Sequence, residues 1–396
     1  MAIWTLLRDA VYLLAFASAA YSVVAMVAAG RFFGRRRPDF AASGAPSEAD
    51  FTPPVSILKP IRGLDRETYE NYASFCRQDY PEFEILFCVT DETDPAVPVI
   101  EQIIHDFPER PIRLLVGAQP LGASDKVNKL CRMVREARHE IVIVTDSDVR
   151  VEPGFLRAVV APFREAAVGG VTCLYRGLTD GSFPANLEAL GNSTDFAPGV
   201  LVAWMLGGEK LDFMLGAVMV TTKTHLAEIG GFEALVDYFC DDYELGNRLA
   251  ARGHRVELSR FPVDIVYPRE TLGEAFRHQL RWNLSIRYSR PWGHRGLIFT
   301  QILVWSLAGL FFTQSWVGEV GFAALYSLLR HEVALSAGAR GMKDKLVRRK
   351  MWMLPTRDLF AFGVWLASFF PQRIHWRGRK FLVRDKRLVP APPSRS

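Results

Sequence analysis

Apolar and polar positions change their period along this chain, and each change marks a boundary. Residues 10–29 carry no formal charge over about twenty positions, the length a helix needs to cross ~30 Å of hydrocarbon. The predicted element is one apolar helix that ends in Arg31, Arg35, Arg36 and Arg37. Residues 38–54 are polar and contain Ala, Ser and Pro, which reads as a linker, so a soluble domain is predicted to begin at Val55. From there strand-like and helix-like runs alternate. Residues 55–58 and 84–89 read as strands on either side of a helix at 66–77. A helix at 96–107, a strand at 112–116 and a helix at 126–138 follow. Residues 141–145 are a continuous β-branched run, the pattern of a strand buried on both faces. This rhythm predicts an α/β fold, a mostly parallel sheet with helices on both faces.

After Gly253 the pattern shifts. Residues 271–290 place Phe276, Leu280, Trp282 and Ile286 among Arg277, Arg281, Arg287 and Arg290. That is either an ordinary surface helix or, given the apolar segments that follow, an amphipathic helix lying in a membrane interface. Those segments are 299–317, long enough to span, 320–329, which is short, and 359–370, which is shorter than a span requires. The predicted topology is a hairpin over 299–335, with 359–370 dipping in and returning. The resulting division is an anchor at 1–37, a linker at 38–54, a catalytic domain at 55–270, an interfacial helix at 271–295, membrane segments at 296–372 and a basic tail at 373–396.

Composition sharpens this picture. Hydrophobic residues make up 49% and charged residues 23%, so the apolar positions must be concentrated, and they lie at the two ends. The net charge of +5 gathers at 31–37, 340–350 and 373–387, each beside an apolar segment. That distribution fits an anionic bilayer surface and not nucleic acid, since no basic domain interleaved with aromatics is present. A cleaved signal peptide is the rival reading of the first helix, with small residues at 17–20. Against it, Arg8 is cancelled by Asp9 and the strong charge follows the apolar run, which places that side in the cytoplasm. The expectation is a multi-pass protein of the inner (cytoplasmic) membrane with its catalytic domain facing the cytoplasm. Five scattered cysteines without a CxxC pair read as reduced core thiols.

Three acidic groups carry candidate chemistry. Asp146 and Asp148 flank Ser147 at the end of the most strand-like run, where two carboxylates can share Mg²⁺ or Mn²⁺ with a diphosphate. Alone this spacing is a weak signal, and a solvated turn gives the same pattern. Asp91 closes the 84–89 strand, placed either to hold a uracil or ribose or to make an Asx turn. Lys59, Arg62, Lys126, Asn128 and Lys129 are candidate phosphate contacts or surface polar groups. Asp241, Asp242 and Glu244 head a helix, favoured there by the helix dipole, and one of them is a candidate general base for an acceptor hydroxyl. Arg281 is a candidate for the diphosphate and Trp282 for the acceptor.

Together these motifs resemble the ceramide glucosyltransferase family. The segments are Val-Ser-Ile-Leu-Lys-Pro-Ile-Arg-Gly at 55–63, Gln-Asp-Tyr-Pro at 78–81, Cys-Val-Thr-Asp at 88–91, Asp-Pro-Ala at 94–96, Asp146-Ser147 and Arg150-Val151. Asp242-Tyr243, Arg281-Trp282 and Trp-Arg-Gly-Arg at 376–379 extend the likeness over about 55–383. Segments 172–177, 192–196 and 241–246 are similar to bacterial hopanoid-associated glycosyltransferases, which attach N-acetylglucosamine to bacteriohopanetetrol.

The resemblance implies a GT-A fold and inverting, metal-assisted transfer of a hexose, N-acetylglucosamine or glucose, from a UDP-sugar to a membrane lipid, hopanoid or ceramide. It implies donor binding by Lys59, Pro60, Asp91, Lys126, Asp146, Arg281 and Trp282, metal binding by Asp146 and Asp148, and Asp242 as base. Asp195, Asp241 and Trp282 are the acceptor candidates, with residues 186–216 as the acceptor region. One departure stands out: His278 occupies the first position of the family's (Q/R)xxRW motif. Two other functions share this pattern. A processive polysaccharide synthase needs more membrane helices than the three apolar segments offer, and a non-catalytic membrane adaptor has no reason to keep Asp146, Asp148, Asp242 and Arg281 together.

Overall fold

The computed structural model describes residues 2–34, 51–370, 374–376 and 379–390. The chain forms two compact units: residues 1–35, 179–206 and 269–374 make one, and 36–178, 207–268 and 375–396 the other. The linker, together with Arg35, Arg36 and Arg37, falls almost wholly outside the described residues.

The second unit is built on an eight-stranded sheet. Its strands in chain order are β1 (Val55–Pro60), β2 (Phe83–Val89), β3 (Ile112–Val116), β4 (Ile141–Thr145), β5 (Val149–Arg150), β6 (Val168–Leu178), β7 (Val218–Thr222) and β8 (Arg255–Val266). They lie in the order β3-β2-β1-β4-β7-β6-β8-β5. Every residue of β1, β2 and β4 is buried, as the uninterrupted apolar runs required. The pairs β3-β2, β2-β1 and β1-β4 are parallel, with helices Thr68–Cys76, Val97–Asp106 and Asp125–Glu136 as the connecting elements. Beyond β4 the direction changes: β7 runs antiparallel to both β4 and β6, and β5 antiparallel to β8, while β6 and β8 are parallel. The sheet is therefore mixed, with its parallel half holding the acidic loops. All five cysteines are buried, as core thiols should be.

The first unit is helical. Ala2–Gly34 is a single helix, long and apolar enough to cross a bilayer. Its buried face is a run of small residues, Ala15, Ser18, Ser22, Ala25 and Ala29, ending in Phe32. Small side chains let helix backbones approach closely, and this face packs on helices Ala197–Leu206, Ile302–Phe312 and Trp316–Val333. The span expected at 299–317 is not one helix. It breaks at Thr313, Gln314 and Ser315, where the Ser315 hydroxyl accepts from the Gly318 N–H and starts the next helix. The remaining arm, Ile302–Phe312, bends by 50° from Pro291–Thr300. The 271–290 segment forms Leu272–Ser289, opened by a full capping box between Thr271 and Glu274. Segment 359–370 lies in Leu354–Ala367 and the turn that follows it.

Candidate active site

Four of the predicted carboxylates and one predicted lysine gather at the carboxyl edge of the parallel strands, where open α/β sheets place their ligands. Asp146, Ser147 and Asp148 form the turn between β4 and β5. Lys126 stands in the first turn of the Asp125–Glu136 helix, whose Ser124 cap accepts from the Val127 N–H. Its Nζ donates to Asp146 Oδ1 at 2.7 Å and lies 3.8 Å from Asp241 Oδ2. Asp241 and Asp242 begin the Asp241–Ala251 helix, and Asp242 Oδ1 accepts from the Tyr243 N–H at 2.8 Å.

Electrostatics set the protonation of this cluster. Burial, then Asp146, pushes Asp148 up to about 7. Burial, then Asp241, does the same to Asp242, also to about 7. Burial works against a charged Lys126, but Asp146 and Asp241 more than offset it and hold the ammonium well above its ordinary value. The Asp241 Oδ2 oxygen is buried with no hydrogen-bond partner among the described residues. Crowded carboxylates and the orphaned Asp241 oxygen form a donor-rich edge of the kind that suits a divalent cation.

Four of the candidate residues, Lys59, Pro60, Asn128 and Lys129, make their contacts within the fold. Lys59 is 0% exposed. Its Nζ donates to Thr145 Oγ1 and to the Asp146 carbonyl, both at 2.9 Å, and sits 3.9 Å from the Phe75 ring centre. Burial lowers this amine to about 7. Lys59 thus braces the backbone of the acidic turn. Pro60 is buried at the end of β1, opposite Cys88. Lys129, also buried, donates to the Ile61 carbonyl and Asp125, while Asn128 holds the Leu121 and Gly122 amides.

Asp91 is exposed just past β2 and accepts from the Thr93 amide and hydroxyl, the Asx-turn alternative. Its neighbour Asp94 accepts from the Gly63 N–H with both oxygens at 3.0 Å, tying the loop after β1 to the loop after β2. Gly63 adopts φ 72°, where glycine is favoured.

In the helical unit, Asp195 lies in a π-helical turn, Asn192–Phe196. Its two oxygens accept from Arg330 at 2.6 Å and Arg357 at 2.8 Å, and Arg330 is also paired with Asp358. Asp195, an acceptor candidate by sequence, is thus a partner in a charge network with Arg330, Arg357 and Asp358. The acceptor region 186–216 is divided between the units at Leu206 and Gly207. Arg281 and Trp282 lie on Leu272–Ser289, and the Trp282 ring packs edge-on to His278 with centres 4.8 Å apart.

Two further residues, given no role from sequence, border the cluster. Tyr175 of β6 is buried, and its phenol is raised well above its ordinary range by burial and then by Asp242, Asp146 and Asp148. Gly216 leaves room for Asp242: a Cβ there would lie 3.1 Å from Asp242 Oδ2. A glycine in an irregular loop was the one available signal.

The family model for glycosyl transferase family 21 matches residues 10–389. Ceramide glucosyltransferase 1 of Caenorhabditis elegans is 31% identical over 53% of this chain and 45% of its own length. Ceramide glucosyltransferase of Komagataella phaffii is 38% identical over 26% of this chain and 21% of its own. These matches span about half or less of the curated relatives' length. Among solved structures, a mannosyltransferase from Pyrobaculum calidifontis, in complex with GDP-Man and Mn²⁺, superposes with a TM-score of 0.56 at 15% identity. It covers 92% of this chain and 99% of that one, and it shares the fold.

Proposed function

We propose, because the chain belongs to glycosyl transferase family 21, that it transfers a hexose from a UDP-sugar to a hydroxyl of a membrane lipid. The observation that carries this reading is Asp242, recessed beside Asp146, Asp148 and Lys126 and held near neutrality. A carboxylate poised at the working pH can take a proton from an attacking alcohol.

In the proposed reaction the acceptor oxygen bonds to the anomeric carbon as its proton passes to Asp242. The bond from that carbon to the diphosphate oxygen breaks, UDP leaves with the electron pair, and the anomeric configuration inverts. Asp146 and Asp148 would hold Mg²⁺ or Mn²⁺, which when bound neutralises charge on the diphosphate. Lys59 keeps the Asp146 turn in place. Asp91 is assigned to the nucleotide, and Arg281 and Trp282 to the transfer, by motif position alone. We place Ala2–Gly34 across the bilayer with the basic residues after it on the cytoplasmic side of an inner membrane.

The acceptor is a ceramide, as in the curated relatives' names, or a hopanoid polyol, as the segments at 172–177 and 192–196 indicate. Purified protein is incubated with labelled UDP-glucose or UDP-N-acetylglucosamine and vesicles containing ceramide, bacteriohopanetetrol or neither. One β-linked sugar on one of the two lipids supports the proposal. A polymeric product, or no lipid product with either donor, overturns it.

A further inference from the structure

Glu188, on the Phe183–Gly191 helix, is 0% exposed, an unusual place for a carboxylate. Its Oε2 lies 3.1 Å from His278 Nδ1 on the Leu272–Ser289 helix. Its Oε1 is shut off from water with no hydrogen-bond partner among the described residues. Half-buried Glu270, just ahead of that helix, likewise has a sealed, unpartnered Oε1. One ligand atom from each of the three residues can be chosen so that all lie within 4.8 Å of one another. Two carboxylates facing each other across such a gap need a positive species between them.

We propose that Glu188, Glu270 and His278 form a divalent transition-metal site that joins the Phe183–Gly191 helix to the Leu272–Ser289 helix. Three donors about 2.1 Å from one ion in a tetrahedral or trigonal arrangement stand about 3.4–3.6 Å apart, so the group closes on a cation when its atoms draw together by about an ångström. Two carboxylates and one imidazole suit Mn²⁺ or Zn²⁺ and not the all-oxygen preference of Ca²⁺ or Mg²⁺. Burial, then Glu188, pushes Glu270 up to about 8, so a cation would displace a proton on entry. His278 stands where the motif described above has Gln or Arg, and neither of those binds a dication as an imidazole does. The site is thus a property of this chain. By fixing Glu270 and His278 it would stiffen the first two turns of the helix bearing Arg281 and Trp282, the latter packed on the His278 ring.

The test uses the full chain in detergent, stripped with chelator and titrated with Mn²⁺ without nucleotide, followed by electron paramagnetic resonance. Asp146 and Asp148 offer no nitrogen, so an imidazole ¹⁴N coupling to Mn²⁺ separates this site from theirs. His225, Glu228 and His254 are the only other candidate group with histidines among the described residues, and His225→Gln controls for them. We expect a ¹⁴N coupling in the wild type and in H225Q that disappears in H278Q. Glu270→Gln, a milder change than one at fully buried Glu188, should weaken this Mn²⁺ by at least the roughly 10–100-fold lost with a mere hydrogen-bond partner of a ligand. Absence of the coupling in the wild type would show that a shared proton fills the gap and would overturn the site. So would a coupling that survives H278Q, or an E270Q affinity equal to wild type.

Discussion

Replacing Asp242 by Asn keeps the side chain's size and removes its ability to accept a proton. If Asp242 is the base, turnover should fall by about 10²–10⁴-fold, or roughly 3–5 kcal/mol in the barrier. Binding of the UDP-sugar should change little. The structure adds a second expectation. With Asp242 held at about 7, kcat/KM of the wild type should drop about tenfold per unit as pH falls below that value. Asp241→Asn removes the neighbouring charge that helps raise Asp242, so this acid limb should move to lower pH. Stability should respond in the opposite sense. A carboxyl group shifted from 3.8 to about 7 favours folding when protonated and loses that contribution as pH rises through 7. The loss is at most about 4 kcal/mol at 1.36 kcal/mol per unit. D242N lacks that loss and should melt higher than wild type at pH 8, by an amount that shrinks toward pH 5. The assays are transfer of labelled sugar to lipid vesicles from pH 5 to 9 and thermal unfolding over the same range. A D242N enzyme within tenfold of wild type, with the acid limb intact, would refute the assignment.

Asp148→Ala should raise the Mn²⁺ or Mg²⁺ concentration needed for activity and weaken UDP binding in calorimetry, because one ligand is lost while the diphosphate charge stays; unchanged activity in excess chelator would count against the metal. Lys59→Met leaves the Thr145 hydroxyl and the Asp146 carbonyl short of their donor and should cost about 1–3 kcal/mol in denaturant unfolding. Gly216→Ala puts a methyl 3.1 Å from Asp242 Oδ2 and should lower kcat on the order of tenfold, with the melting temperature held, by shifting the base a few tenths of an ångström. Deleting residues 1–34 uncovers the faces that pack on Ala15, Ser18, Ser22, Ala25 and Ala29, so transfer to vesicle lipid should fall further than hydrolysis of the UDP-sugar by water; equal losses in the two assays would separate that helix from acceptor access.

Strands 112–116 and 141–145 were readable to the residue because their apolar runs end sharply, the first between Pro111 and Gly117, the second, continuously β-branched, between Glu140 and Asp146. Helix ends moved by a residue or two where a cap decides them: Ser124 starts its helix at Asp125, and the chain leaves it at Ala137. Strand direction was harder. Nothing in Val218–Thr222 distinguishes an antiparallel neighbour of β4 from a parallel one, since side-chain alternation is the same in both. The apolar average over 299–317 hid a break because Thr313, Gln314 and Ser315 are few among many apolar residues, yet a serine cap there is enough to end one helix and begin another. Gln78 and Arg150, quoted as motif residues, turn out to bond the backbone at Ser74 and Glu152 and the side chains of Asn71 and Glu67.

At the site, acidic spacing was visible but charge balance was not. Asp146, Asp241 and Asp242 place three carboxyl groups around Lys126, with Asp148 beside Asp146 and Lys59 beneath it. A linear reading treats all six groups as ionised and both lysines as ligand contacts. Burial changes the picture for Lys59, Asp148 and Asp242 and leaves Lys126 among the carboxylates. It sinks Lys59 against Phe75, where its amine falls to about 7 and its hydrogen bonds go to the backbone it supports. It also raises Asp148 and Asp242 to about 7, so the cluster holds protons near neutrality that a cation at Asp146 and Asp148 would expel. Asp146 and Asp241 flank Lys126 and favour the ammonium, more than offsetting the effect of its burial. A substrate diphosphate arriving with its cation would compete for those same carboxylates and leave the ammonium to the phosphate oxygens. The affinity of the site for its donor should therefore rise with pH through 7 as the cluster sheds its protons, a dependence set by the packing around these side chains and not by their spacing in the chain.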